Sequence, residues 1–234
     1  MDRIASTNRI FEPIMIKKSA LLIGATGLVG EQCLQQLLAN EQYDKVITLT
    51  RKVLVNKHPK HKNLVVDFDH LDWSAANIKA DDVYCAFGTT IAKAGSQDAF
   101  RKIDVEWPRQ IAQIAVKNGA QKFILVSSIG ADSQSSVFYS KMKGVLEDEI
   151  NKMGYQSVII FRPSILIGDR KEQRTGEAIG IALAKALSFL FIGPLRKYQG
   201  TPVDLLAAQM VKWGTSEKSG VIIVENQDIL SNIC

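Results

Sequence analysis

Tyr139 and Lys143 stand four residues apart, and a serine pair, Ser127 and Ser128, precedes them by one loop. On a helix, residues at i and i+4 share one face a turn apart. A phenol, an ammonium and a hydroxyl held together can deliver a proton to an oxygen that is gaining negative charge. The hydroxyl orients that oxygen, the phenol gives the proton, and the cation favours the phenolate left behind. Ser128 is the expected orienting hydroxyl, with Ser127 the alternative. A tyrosine and a lysine on an ordinary helix surface have the same spacing, so the place of this helix in the chain must decide.

That place is set far upstream. Ala20 to Ile23 is a short apolar run of strand length, and Gly24, Gly27 and Gly30 follow it at three-residue spacing. Behind them Leu28, Leu34, Leu37 and Leu38 line one face of a helix. Strand, glycine turn and helix form the opening unit of a dinucleotide-binding fold. Gly24 permits the turn, Gly27 lets a pyrophosphate approach the backbone, and Gly30 lets helix pack on strand. Phosphates would sit on the amides of 24–30 (Gly24, Ala25, Thr26, Gly27, Leu28, Val29, Gly30), where the helix dipole favours negative charge. The expected architecture is therefore α/β, a Rossmann-like doubly wound parallel sheet with a small C-terminal substrate cap.

The strands that follow place further candidates. Val46 to Thr50 reads as the second, and twenty positions beyond Gly30 the residue is Thr50, followed by Arg51 and Lys52. An NAD-preferring site usually places a carboxylate there to hold the ribose 2′-hydroxyl. A guanidinium can instead grip a 2′-phosphate through two donors, so NADP(H) is expected over NAD(H). Asn63 to Val66 reads as the third strand, with Asp67 and Phe68 beside an adenine ring. Val83 to Phe87 is the fourth, running into Gly88 and Thr89, where bare backbone can approach a ribose. Asp104 is expected to cap the next helix, with Pro108 in its first turns and Asn118-Gly119 at its end. Lys122 to Val126 is the fifth strand, and the serine pair stands at its C-terminal end, where ligands collect in open parallel sheets. Tyr139 then opens a helix ending at Gly154, and Ser157 to Phe161 is the sixth strand.

Composition limits the function classes. The 234 residues are 46% hydrophobic and 23% charged, enough for a full core in a chain of ordinary polarity. A net charge of +5 suits an anionic ligand without implying nucleic acid. Cys33, Cys85 and Cys234 are too few and scattered for a disulfide framework, so reduced thiols and a cytoplasmic location are expected. Lys57 to Lys62 reads as a solvated basic loop. Its His58 and His61, with His70 nearby, lack metal-ligand spacing, and no metal is expected. Residues 1–18 lack the apolar segment of a signal peptide and read as an extension. Ala178 to Ile192 is apolar but interrupted by Lys185. A helix roofing the substrate cleft, or meeting a partner subunit, is expected there rather than insertion in a membrane.

Beyond these readings, the chain resembles an atypical short-chain dehydrogenase/reductase, specifically the Tat-interacting-protein-like oxidoreductases. The segments that carry the resemblance are Gly-Ala-Thr-Gly-Leu-Val-Gly at 24–30, Gly-Thr-Thr-Ile-Ala-Lys-Ala-Gly-Ser at 88–96 and Val-Ser-Ser-Ile-Gly-Ala-Asp at 126–132. Two more are Tyr-Ser-Lys-Met-Lys-Gly at 139–144 and Phe-Arg-Pro-Ser-Ile-Leu-Ile-Gly-Asp-Arg at 161–170. The resemblance runs from about Ser19 to the C-terminus. It implies NADPH held along 24–30, Arg51, Lys52, Phe87, Gly88, Tyr139, Lys143, Leu166 and Arg174, and a Ser-Tyr-Lys catalytic set. Some sugar-modifying relatives carry a third Ser or Thr where this chain has Ile129. The expected organisation is an extension (1–18), a dinucleotide-binding core (19–162) and a cap with a last helix and strand (163–234), integrated with the core as one domain. The expected activity is reduction of a small carbonyl compound, with a homodimer possible. An NADPH-binding sensor with little turnover is the alternative, and the small cap argues against a nucleotide-sugar enzyme.

Overall fold

The computed structural model describes residues 17–71, 79–168 and 198–231. Strand β1 (Lys18–Ile23) runs into the glycine turn and helix α1 (Leu28–Ala39). Strands β2 (Tyr43–Thr50), β3 (His61–Val65) and β4 (Asp82–Cys85) follow. Two short helices, α2 (Ile91–Ala94) and α3 (Gln97–Arg101), lead through a π-helical turn (Lys102–Glu106) into α4 (Trp107–Lys117). Then come β5 (Lys122–Val126), α5 (Phe138–Asn151), β6 (Ser157–Arg162) and β7 (Leu166–Ile167). The described chain resumes before β8 (Thr201–Pro202), followed by α6 (Val203–Gly214), β9 (Gly220–Glu225) and α7 (Asn226–Ser231).

Among the described residues the main sheet has seven strands, all parallel, in the order β3-β2-β1-β4-β5-β6-β9. Successive side chains of a strand face opposite sides, and both sides are buried here. Leu21 and Ile23 of β1 join one apolar cluster with residues of α4 and α5, while Ala20 and Leu22 join the other with α1 and α6. This is the doubly wound Rossmann-like sheet expected from the sequence. β7 and β8 form a small separate parallel pair. The expected cap helix, Ala178 to Ile192, lies outside the described residues, as do residues 1–16.

The glycine turn is as tight as its spacing implies. Gly24 has φ +83°, and a Cβ there would lie 2.5 Å from the Ala86 carbonyl oxygen of the β4 exit. A Cβ on Gly30 would lie 2.0 Å from the Gly24 carbonyl, so α1 closes on the turn only because that atom is absent. At Gly27 the nearest atom would be 3.2 Å away, on the turn's own backbone. Gly27 is exposed, and of the three it is the least crowded.

Two expectations are corrected. Asp104 does not cap a helix: Ser96 does, its hydroxyl accepting the Ala99 N–H at 3.0 Å. The helical path then continues from Gln97 to Lys117 with Asp104 inside it. Pro108 has no N–H to give the Asp104 carbonyl and its ring would crowd that oxygen, and the path widens into the π turn immediately before it. The segment 57–62 is not wholly a solvated loop either. His61 and Lys62 begin β3, paired with Val46 and Ile47, and His61 Nε2 lies 3.0 Å from the Thr48 hydroxyl.

Candidate active site

Every candidate in the described chain lies at the C-terminal edge of the sheet or on the helix that follows it. Lys143, in the second turn of α5, is buried, and its Nζ donates to Asp104 Oδ1 at 2.8 Å. The side chains of this pair are 5% and 0% exposed. Asp104 Oδ2 accepts the backbone N–H of Thr89 at 2.9 Å. One carboxylate therefore fixes both the lysine and the β4 exit loop. Burial disfavours the lysine's charge, but the attraction of Asp104 outweighs it and holds Lys143 above its ordinary range.

Tyr139 sits one turn N-terminal to Lys143, whose Nζ is 5.9 Å from the centre of the phenol ring. The ring leans on Phe100 of α3, with centroids 5.5 Å apart, and Phe138 contacts the same residue. The run from Ser96 through the π turn thus braces the first turn of α5 and supplies the counter-ion to Lys143. Ser127 and Ser128 are buried at the end of β5, and neither Oγ has a hydrogen-bond partner among the described residues. Buried hydroxyls are almost always paired, so an orphan at this edge of the sheet is a candidate contact for a ligand atom.

The other end of the edge forms a pocket. Arg51, Val66, Asp67, Phe68, Asp69 and Trp107 line a cleft of about 360 Å³. Phe68 is buried, stacked on Trp107 (centroids 5.2 Å, planes 27° apart) and meeting Phe87 edge-on at 5.2 Å. Trp107 Nε1 donates to Asp69 Oδ1 at 3.0 Å, and Lys102 lies 2.9 Å from the same oxygen. Asp67 is 3.0 Å from His70, whose hydrogen bond lowers the carboxyl's pKa while Asp67 raises that of the imidazole. The Thr50 hydroxyl donates to the Lys52 carbonyl at 2.7 Å and turns the chain so that Arg51 stands at the cleft. Arg51 and Lys52 are exposed, and no acidic residue adjoins them in sequence.

These features fit a dinucleotide. The exposed Gly27 lies at the start of α1, which no side chain caps, and the aromatic cleft lies at the ends of β2 and β3. Gly88 is exposed, and a Cβ there would meet nothing within 4 Å. Leu166 enters the small β7–β8 pair, and its neighbour Gly168 reaches α1: a Cβ there would come within 3.3 Å of Leu28 Cδ1. Arg174 lies outside the described residues. Asp104, Trp107 and Asp69 are the site residues that sequence reasoning missed. The Ser-Gln-Asp-Ala start at 96–99 could have revealed that the helix begins before Asp104.

A family profile described as NAD(P)H-binding matches residues 24–167. That span covers the glycine turn, Asp104, the serine pair, Tyr139 and Lys143. The chain belongs to this NAD(P)H-binding family. A nicotinamide dinucleotide is therefore its class of cofactor. Protein FMP52, mitochondrial, of Candida albicans is 36% identical over 91% of this chain and 96% of its own length. Protein HTATIP2 of Rattus norvegicus is 35% identical over 70% of this chain and 69% of its own. The second bears out the resemblance to Tat-interacting-protein-like proteins. A short chain dehydrogenase family protein from Francisella tularensis superposes with a TM-score of 0.64 at 16% identity, covering 92% of this chain and 99% of that one. At that identity the likeness shows the fold alone.

The cytoplasmic expectation is overturned. Several fungal members of the NAD(P)H-binding family similar to this chain are named mitochondrial. The expectation rested on reduced thiols, and Cys33 and Cys85 are indeed free and buried. Free buried thiols fit any reducing compartment and do not separate one from another.

Proposed function

We propose that this chain is an NADP(H)-dependent oxidoreductase that reduces a small carbonyl compound, with Tyr139 as general acid. The observation that carries the reading is the buried Lys143, fixed to Asp104 at 2.8 Å one helical turn from Tyr139. The unpaired Ser128 hydroxyl at the end of β5 supplies the third group. A bound nicotinamide supplies the hydride. Ser128 donates to the substrate oxygen and orients it, with Ser127 beside it in sequence as the alternative donor. As hydride adds to the carbonyl carbon, Tyr139 gives its proton to the oxygen, which leaves an alcohol and a phenolate that solvent reprotonates. Lys143 favours that phenolate and holds a ribose hydroxyl. Asp104 keeps the lysine charged and in place.

The remaining candidates hold the cofactor. Backbone amides of 24–30 take the pyrophosphate, Phe68 and Asp67 border the adenine, and Phe87, Gly88, Thr89 and Leu166 flank the nicotinamide half. Arg51 and Lys52 take a 2′-phosphate, which favours NADP(H) over NAD(H). The names of the fungal relatives carry a mitochondrial location to this chain as an inference.

The test is Tyr139→Phe, assayed by NADPH oxidation over a broad panel of ketones and aldehydes. NADPH binding by calorimetry should persist while turnover falls by roughly 10²–10⁴. Full activity in the variant would assign the acid to another residue. A wild type that binds NADPH yet reduces nothing on the panel would leave the sensor reading in its place.

A further inference from the structure

The basic segment between β2 and β3 takes no part in this chemistry beyond Arg51 and Lys52. Residues 51–62 carry five Lys or Arg and two His, with no Asp or Glu. Within it Val53 and Val55 are 74% and 81% exposed, the two most exposed large apolar side chains among the described residues. They are presented by an ordered loop. Leu54, between them, packs inward on the cluster that includes α1, and its N–H donates to Asn63 Oδ1 at 2.9 Å. Further on, the His58 N–H donates to Asn56 Oδ1 at 2.9 Å. Lys60 Nζ is tied to the carbonyls of Leu38 and Asn40 at 3.3 and 2.9 Å, where α1 ends. The alternation Val53 out, Leu54 in, Val55 out is therefore fixed by the fold.

Lys60 is held on α1, so Lys57 and Lys62 remain exposed on the loop that carries the two valines, with Val65 of the edge strand β3 53% exposed beyond them. Of the acids past the far end of β3, Asp69 is matched by Lys102 at 2.9 Å and Asp67 lies 3.0 Å from His70. Lysines on an edge strand commonly serve to block sheet-to-sheet pairing. That role leaves two outward valines without a use. Cations flanking short apolar side chains match an anionic lipid surface, where headgroup charge attracts the lysines and the valines enter the interfacial layer.

We infer that the 53–65 face docks this protein peripherally on an anionic membrane, without spanning it. Arg51 and Lys52 stay with the cofactor cleft, so docking and cofactor binding use different side chains.

The experiment is co-sedimentation of the full chain with vesicles of neutral phosphatidylcholine, or of phosphatidylcholine mixed with phosphatidylglycerol, at low and high salt. Binding to the anionic vesicles at low salt, weakened by salt and absent on neutral ones, is the expected result. Lys57→Glu with Lys62→Glu should weaken it by at least roughly 25-fold, taking about fivefold per lysine. Val53→Ser with Val55→Ser should weaken it several-fold without changing the charge. Both variants should bind NADPH as the wild type does, which shows that they are folded. No sedimentation with anionic vesicles overturns the inference. So does equal binding to neutral vesicles, or a valine variant that binds unchanged, which would reduce the effect to charge alone.

Discussion

Replacing Asp104 by Asn tests the joint on which the candidate site is hung. Asparagine has the same shape, and its carbonyl can still accept the Thr89 N–H that Asp104 accepts at 2.9 Å. The other terminal atom becomes an amide that points a donor at the Lys143 ammonium. Lys143, with 5% of its side chain exposed, then has two ways out. Remaining charged and unpaired costs about 3–5 kcal/mol. Losing its proton at pH 7, from an ordinary pKa near 10.4, costs about 4.6 kcal/mol. The cheaper route sets the loss, so the variant should be less stable by about 3–4.6 kcal/mol. At about 2–4 °C per kcal/mol for a chain of this size, Tm should fall by about 6–18 °C.

The sign with pH separates an ion pair from packing. In the wild type Lys143 is held above its ordinary value. Its contribution is therefore complete below the unfolded pKa and is lost only as pH rises through the raised one. In the variant burial alone acts and lowers that pKa, so the neutral lysine becomes easier to accept by about 1.4 kcal/mol per pH unit. The gap between wild type and variant should narrow from pH 7 to pH 9. Urea denaturation at both pH values, with the double variant Asp104→Asn, Lys143→Met completing a cycle, measures this. A loss under about 1 kcal/mol at pH 7 that does not change with pH would refute the reasoning.

The glycines should divide by role. Gly30→Ala, whose Cβ would lie 2.0 Å from a carbonyl, should lower Tm sharply or abolish soluble protein, whereas Gly27→Ala, 3.2 Å from its nearest atom, should lower Tm far less and lose cofactor affinity by calorimetry. Equal Tm losses in the two would refute the assignment. Arg51→Ala should reduce a preference for NADPH over NADH by roughly ten- to a hundredfold, the worth of a charge-assisted bond, and leave NADH affinity unchanged. Equal wild-type affinity for the two cofactors would refute the role given to Arg51.

What could be read from sequence was what covalent spacing determines. The glycine turn, the serine pair at the end of β5 and the Tyr139–Lys143 pair on α5 all stand where their spacing places them, because each depends on neighbours within a few residues. Asp104 was missed because its partner Lys143 is 39 positions away, and a lone acid near a proline looks like a cap. Trp107 was missed for the same reason, since the ring it stacks on, Phe68, belongs to another element. Strand ends shifted for tertiary reasons as well. β2 begins at Tyr43, three residues before the expected Val46, where the Tyr43 hydroxyl is buried against Asp82 at 2.7 Å and Tyr84 at 2.8 Å. β4 stops at Cys85, short of the expected Phe87, and the chain there turns away towards the bond between Thr89 and Asp104.

The buried Lys143–Asp104 pair also shapes the field that an incoming ligand meets. A cation matched by an anion 2.8 Å away is a short dipole, and its potential decays far faster than that of a lone charge. From a distance the Tyr139 end of the site is thus close to neutral. At the other end the exposed Arg51, Lys52, Lys57 and Lys62 outnumber Asp67 and Asp69, so the long-range attraction comes from there. An anionic dinucleotide would be captured adenosine end first and then swing its uncharged reactive ring towards Tyr139. Salt would slow the capture and leave the swing untouched.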